Sequence, residues 1–230
     1  MTKNPIYCAI DTSSIDNAMR LVEEVLPHVG GIKLGLEFFT SCGMKGIERI
    51  NKFKLPLFLD LKLYDIPTTV KKSLENILLL EPTFTTLHTS GGSHMLRECV
   101  KLKKKLNSST NLIGVTMLTS FDDNSINEIG INVSVNENVD NLSKLALDCG
   151  MDGIVCSPLE IQKVKKSFGS KLKIVSPGIR NNEDNADDQK RTLSAKEAIF
   201  FGADIIVIGR PITAAKSPAL AAETFYKSIT

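Results

Sequence analysis

The segment LFLDLKLYDIPTTV, Leu57 to Val70, reads as a strand turning into a helix. Leu57, Leu59, Leu61 and Leu63 recur at every second position, and side chains alternate across a strand, so they share one face. Phe58, Asp60 and Lys62 share the other, and Asp65 follows just past the run. Apolar residues on both faces mark a strand covered on both sides, as in a parallel sheet wrapped by helices. Thr68 stands where an N-cap belongs, and apolar spacing predicts a helix over 68–80. A carboxylate and an ammonium on such a strand need a reason.

The same strand–helix unit recurs along the chain. Strands are predicted at 6–10, 31–35, 57–63, 83–89, 111–118, 153–157, 173–178 and 204–210. Helices are predicted at 14–28, 37–52, 68–80, 93–106, 138–149, 158–168, 190–201 and 217–228. Ser13 or Ser14, Thr68, Ser93 and Ser157 supply N-caps, with Pro158 at the first helical position. Gly150, Gly169 and Gly202 fit helix ends. About eight uninterrupted pairs in a chain of this length favour a single-domain (β/α)₈ TIM barrel over residues 1–230. An open doubly wound sheet is the alternative, because the pattern does not show whether the first and last strands meet. Its dinucleotide fingerprint is missing from the first βα turn, which reads AIDTSS.

Composition narrows the class. The 230 residues are 42% apolar and 23% charged, which is the mix of a globular chain. A net charge of +2 argues against nucleic acid or a membrane surface as partner. The run Lys101–Lys105 reads as a solvated helix face. Five scattered cysteines form no CxxC pair, against a disulfide framework and against structural zinc. The opening MTKNPIYCAID enters a strand at once, leaving no room for a signal peptide, and no apolar run approaches the ~20 residues of a membrane span. The expected location is the cytoplasm.

In a barrel of this kind the reacting groups stand at the C-terminal ends of the strands. Those ends carry Asp11, Lys33, Asp60 with Lys62, His88, Thr119 with Ser120, Ser157, Arg180, and Gly209 with Arg210. Several have ordinary readings. Asp11 fits a helix-capping carboxylate as well as a site residue, His88 a satisfied core histidine, and Ser157 an N-cap. Asp60 and Lys62 do not, since desolvation consumes most of what a buried ion pair gains. With Lys33 and Asp65 nearby they form a lattice of alternating charge, which keeps the lysines protonated and the aspartates ionised. A rigidly held, protonated Lys62 is a proton donor rather than a Schiff-base nucleophile.

A second signal is an anion site. SPGIR (176–180) and VIGRPIT (207–213) put a glycine and then an arginine at the ends of the last two strands. Barrels commonly hold a phosphate there, where glycine lets backbone N–H groups approach and arginine adds charged hydrogen bonds. The polar stretch NNEDNADDQKR, Asn181 to Arg191, reads as a lid over the mouth.

These residues resemble the orotidine 5′-phosphate decarboxylase family along the whole chain. The likeness rests on AID (9–11), IKLG (32–35), FLDLKLYDIPTTV (58–70), HTSGG (88–92), MLTS (117–120), SPGIR (176–180), Asp188–Gln189 and IGRPIT (208–213). The DxKxxD core alone is shared with sugar-phosphate decarboxylases and synthases of the same superfamily; DxKxxD with IPTT, PGIR, Gln and GRPIT is far more specific. The resemblance implies cofactor-free decarboxylation of orotidine 5′-monophosphate to uridine 5′-monophosphate, the last step of pyrimidine nucleotide synthesis. It implies that Lys62 protonates C6 as carbon dioxide leaves beside Asp60, within a Lys33–Asp60–Lys62–Asp65 array. Asp65 and Thr69 would enter the site of a homodimer partner. Asp11 and Lys33 would contact the ribose and Thr119 the pyrimidine edge, with Ser120 the second choice. Gln189, Gly209 and Arg210 would hold the phosphate, with Arg180 beside them. Two other readings are a Mg²⁺-dependent sugar-phosphate enzyme and a non-catalytic phosphate-ligand sensor.

Overall fold

A computed structural model describes residues 4–180 and 192–230. Eight parallel strands close into a barrel in chain order: β1 (Ile6–Ala9), β2 (Gly31–Leu34), β3 (Leu57–Leu63), β4 (Phe84–His88), β5 (Asn111–Val115), β6 (Gly153–Val155), β7 (Lys173–Ser176) and β8 (Ile205–Ile208). Closure is made by β1 and β8, which pair in parallel with Tyr7 opposite Val207. The helices between them are α1 (Ile15–Val25), α2 (Leu36–Asn51), α3 (Pro67–Leu78), α4 (Gly92–Lys105), α5 (Asp123–Glu128), α6 (Val135–Asp148), α7 (Ile161–Phe168) and α8 (Ala195–Phe200); α9 (Arg210–Thr213) and α10 (Pro218–Ile229) follow β8. The open-sheet alternative is excluded.

Two apolar layers explain where the polar groups go. Outward-facing strand residues such as Leu59, Leu87 and Ile206 pack with helix residues including Leu74, Leu96 and Phe225. The barrel lumen holds a separate cluster, with Tyr7, Phe58, Phe84, Ile113, Val175 and Val207 among its members. Its rings meet edge to face, Tyr7 to Phe84 at 5.7 Å and Phe58 to Phe84 at 6.0 Å, a favourable arrangement of aromatic quadrupoles. The lower lumen is thereby filled. Inward-facing positions nearer the C-terminal end are left for charge.

Local signals place most boundaries, and the misses have physical causes. Ser14 caps α1 through Asn17 N–H, and Ser157 with Glu160 forms a capping box on a short 3₁₀ turn before α7. Thr68 is not a cap: Pro67, lacking an N–H and fixed in φ, is itself the first helical residue after Ile66. Ser93 falls inside α4, because a 3₁₀ turn at Thr89–Gly91 and Gly92 at φ +81° bring the chain into the helix earlier. The fifth strand ends at Val115 rather than at 118, and the short helices α5 and α9 were not anticipated. Both lie in βα loops, where four to six residues carry too little periodicity to read.

Candidate active site

The end of β3 departs from a regular strand. Leu59 pairs with Thr85 and Leu63 with Leu87, so Asp60, Leu61 and Lys62 stand against Thr86 alone. Such a bulge re-aims side chains, and here it puts Lys62 in the left-handed region at φ +49°. That conformation costs a non-glycine residue about 1–3 kcal/mol and persists only when the surroundings hold it. Thr86, fully buried, does the holding: its Oγ1 accepts from Lys62 N at 2.8 Å and donates to Asp60 Oδ1 at 2.9 Å.

The charged cluster follows from that turn. Lys62 Nζ donates to Asp60 Oδ2 at 2.8 Å, and Lys33 Nζ on β2 lies 3.8 Å from the same oxygen. Lys33 also reaches Asp11 Oδ1, just past β1, at 3.1 Å. Asp60 is buried. Burial alone pushes its carboxyl up. The Lys62 and Lys33 charges and the hydrogen bonds from Lys62 and Thr86 outweigh it, so the group stays below the ordinary aspartate value. A carboxylate so held remains negative inside the barrel.

Gly35 makes room for the Asp11–Lys33 pair. A Cβ there would come within 2.9 Å of Lys33 Nζ and 3.3 Å of Asp11 Oδ1. Any side chain at this position pushes against the tip of Lys33.

A cavity of about 620 Å³ opens above the cluster, a volume in the range of small-ligand sites. Asp11, Lys33, Asp60 and Lys62 line it, joined by Thr119 and Ser120 from the loop after β5. Arg180, Gly209 and Arg210, from the ends of β7 and β8, also line it. Asp11 therefore lines the cavity and does not cap α1, a role Ser14 fills. Ser157 is an N-cap, as its ordinary reading had it. Thr119 and Ser120 both border the cavity.

Other expected residues lie elsewhere. Asp65 and Thr69 are exposed at the start of α3 and are not among the residues lining the cavity; Asp65 Oδ1 accepts from Ile66 N at 2.6 Å. Within one chain the array is Asp11–Lys33–Asp60–Lys62. His88 is half-buried beside Tyr64, ring centroids 5.5 Å apart, and is not a cavity-lining residue either. Burial first, and the Lys62 ammonium second, hold its imidazole below the usual histidine value. Gln189 and the stretch read as a lid lie outside the described residues. Two further residues at the site are not legible in the sequence, Thr86 behind the cluster and the cavity-lining Glu37. No local signal marks Thr86, which looks like any buried threonine of a strand; Glu37 sits in the first turn of α2, where acidic residues are ordinary.

Among the described residues no group of three or more His, Cys, Asp or Glu side chains is arranged to hold a metal ion. Asp60, the most buried carboxylate of the site, is instead ion-paired to two lysines.

A closed (β/α)₈ barrel with a lysine–carboxylate cluster and two arginines at its C-terminal mouth defines the class of barrel enzymes that act on small anionic substrates. Comparison with known proteins narrows it. Residues 4–225 match the model of the orotidine 5′-phosphate decarboxylase / HUMPS family. The chain is 46% identical over 227 residues to an orotidine 5′-phosphate decarboxylase of Wolbachia pipientis from Culex pipiens, covering 99% of each. It is 48% identical over 226 residues to that of a Wolbachia from Brugia malayi, covering 98% of this chain and 99% of the relative. The crystal structure of orotidine 5′-phosphate decarboxylase from Lactobacillus acidophilus superposes with a TM-score of 0.85 at 33% identity, covering 99% of each chain. The chain belongs to the orotidine 5′-phosphate decarboxylase / HUMPS family.

Proposed function

We propose that this protein decarboxylates orotidine 5′-phosphate to uridine 5′-phosphate, using its own side chains and no cofactor, with residues 1–230 as one catalytic domain. The observation that carries the proposal is Lys62 Nζ held 2.8 Å from a buried Asp60 carboxylate at the floor of the cavity. Loss of carbon dioxide from C6 breaks the C6–carboxylate bond and leaves its electron pair in the plane of the ring, where the π system cannot take it. A fixed ammonium at C6 stabilises that charge and then supplies the proton. Carbon dioxide departs, and the neutral amine regains its proton from solvent.

The remaining residues divide by position. Asp60 lies beside the departing carboxylate, and Asp11 and Lys33 bind the ribose. Thr119 meets the pyrimidine edge. Arg180, Gln189, Gly209 and Arg210 grip the phosphate, whose remote binding energy holds the reacting end in place. Asp65 and Thr69 complete the site of a second copy in a homodimer. In support, Tyr64 and Ile66 flank Asp65 with 62% and 66% of their surface exposed, apolar area a partner would cover. No helix among the described residues is long and apolar enough to cross a membrane. All five cysteines are free, which suits the reducing cytoplasm.

A Mg²⁺-dependent sugar-phosphate reaction is the second reading, because the family's name spans both branches. The lysines against Asp60 oppose a divalent cation at that carboxylate. A ligand sensor gives no reason to hold Lys62 in a costly backbone conformation. The test is the absorbance of orotidine 5′-phosphate after adding protein treated with a strong chelator. Loss of the orotate band is the expected result; activity that appears only with Mg²⁺, or on a sugar phosphate instead, overturns the proposal.

A further inference from the structure

We infer that Thr86, which does not itself line the cavity, is a positioning residue that holds the Lys62 ammonium and the Asp60 carboxylate in their working geometry through one hydroxyl. The inference rests on the proposed decarboxylation for its kinetic consequences, but its structural basis is independent.

A β-bulge normally leaves its extra residues without ladder partners. Here the backbone N–H of Lys62 is turned off the β3–β4 ladder and is satisfied by the Thr86 side chain at 2.8 Å. The same oxygen spends its proton on Asp60 Oδ1 at 2.9 Å. Its donor and acceptor capacities thus fall on the two residues whose relative placement matters most. With Oδ1 engaged by Thr86, Oδ2 is the oxygen presented to Lys62 at 2.8 Å and to Lys33 at 3.8 Å. The hydroxyl therefore fixes the rotation of the carboxylate and the left-handed turn of Lys62 together. Valine has the same shape and neither capacity. It leaves a backbone N–H without its partner and frees the Asp60 carboxylate to rotate.

The adjacent Thr85 provides an internal control. It is equally buried, on the same strand, and its hydroxyl donates to Leu59 O at 3.0 Å, away from the cluster. Loss of that bond tests general stability, whereas loss of the Thr86 bond tests geometry at the site.

The experiment compares Thr86→Val, Thr86→Ser and Thr85→Val with the parent. In Thr86→Val, kcat should fall about 10²-fold, the scale of a small misplacement of reacting groups, while KM and affinity for uridine 5′-phosphate stay near parental. Thr86→Ser, which keeps the hydroxyl, should regain most of the lost kcat, and Thr85→Val should keep parental kcat. Carboxyl ¹³C NMR of the unliganded proteins gives a readout that needs no substrate: Asp60 should titrate at higher pH in Thr86→Val than in the parent or Thr86→Ser. Should valine prevent folding, Thr86→Ala removes the same hydroxyl with no added bulk. Parental kcat in the hydroxyl-free variant, an equal fall in Thr85→Val, or no rescue by serine would overturn the inference. If the parent itself does not decarboxylate the nucleotide, the functional proposal fails, and the Asp60 titration alone decides Thr86, with an unmoved value rejecting it.

Discussion

Lys62 donates 2.8 Å back to Asp60, two positions earlier on its own strand, from a backbone turned to φ +49°. Side chains two apart on a regular strand point the same way without meeting so closely. The contact exists because the bulge bends β3 there, and the pair is a product of the barrel's pairing rather than of spacing alone.

Removing the ammonium tests its role directly. Lys62→Ala should lower kcat by more than the ~10²–10⁴ owed to a single acid–base group, because charge stabilisation is lost with the proton. Affinity for uridine 5′-phosphate should survive, measured by calorimetry. Near-parental turnover would take Lys62 out of the chemistry.

Gly35 should be intolerant for a reason local to Lys33. An alanine Cβ 2.9 Å from Nζ displaces the flexible tip rather than the backbone, so the fold should hold while Lys33 leaves Asp11 and Asp60. Gly35→Ala should keep a parental melting temperature and lose at least about tenfold in kcat/KM, the scale of one charged hydrogen bond. A matching fall in stability would assign Gly35 to packing instead.

Mixing variants tests whether Asp65 serves a second copy. Lys62→Ala and Asp65→Ala homodimers should each be nearly inactive. After reversible dissociation, about half of the dimers carry both subunits, and each of these has one intact site, so activity should return to about a quarter of the parental level. Both substitutions on one chain, mixed with itself, should recover nothing. No recovery despite demonstrated subunit exchange would confine Asp65 to its own chain.

Acid should destabilise the protein in two stages. His88 is held below its ordinary value of 6.5, so as pH falls through 6.5 the unfolded chain takes up the proton first and stability declines. Asp60, held below 3.8, adds to the loss as pH falls further, since its contribution is present above the unfolded value and vanishes through the folded one. The groups acting on His88 are Lys62, which opposes its charge, and Asp60, which favours it. Urea midpoints measured across this range should fall less steeply below 6.5 in His88→Gln. An unchanged slope in that variant would show that His88 is not the group responsible.

Short-range physics made much of this legible in the amino-acid sequence. Leucines at every second position of 57–63 declare the strand, and the polar residues between them declare something other than packing, because a buried ion pair adds little stability. Ser14, Ser157, Gly150 and Gly169 act on their immediate neighbours, so they mark helix ends without reference to the rest of the chain. Closure could not be read that way. It depends on Tyr7 meeting Val207, and register between segments so far apart is set by packing the whole barrel. The same holds inside the site. Thr86 lies 24 residues from Lys62, and only the β3–β4 bulge puts its hydroxyl against that backbone. Asp65, three positions beyond Lys62 in the chain, turns away to the surface because Pro67 starts a helix there. Periodicity reports which way a residue faces along an unbroken element; where the strand bulges or ends, neighbours from other strands decide.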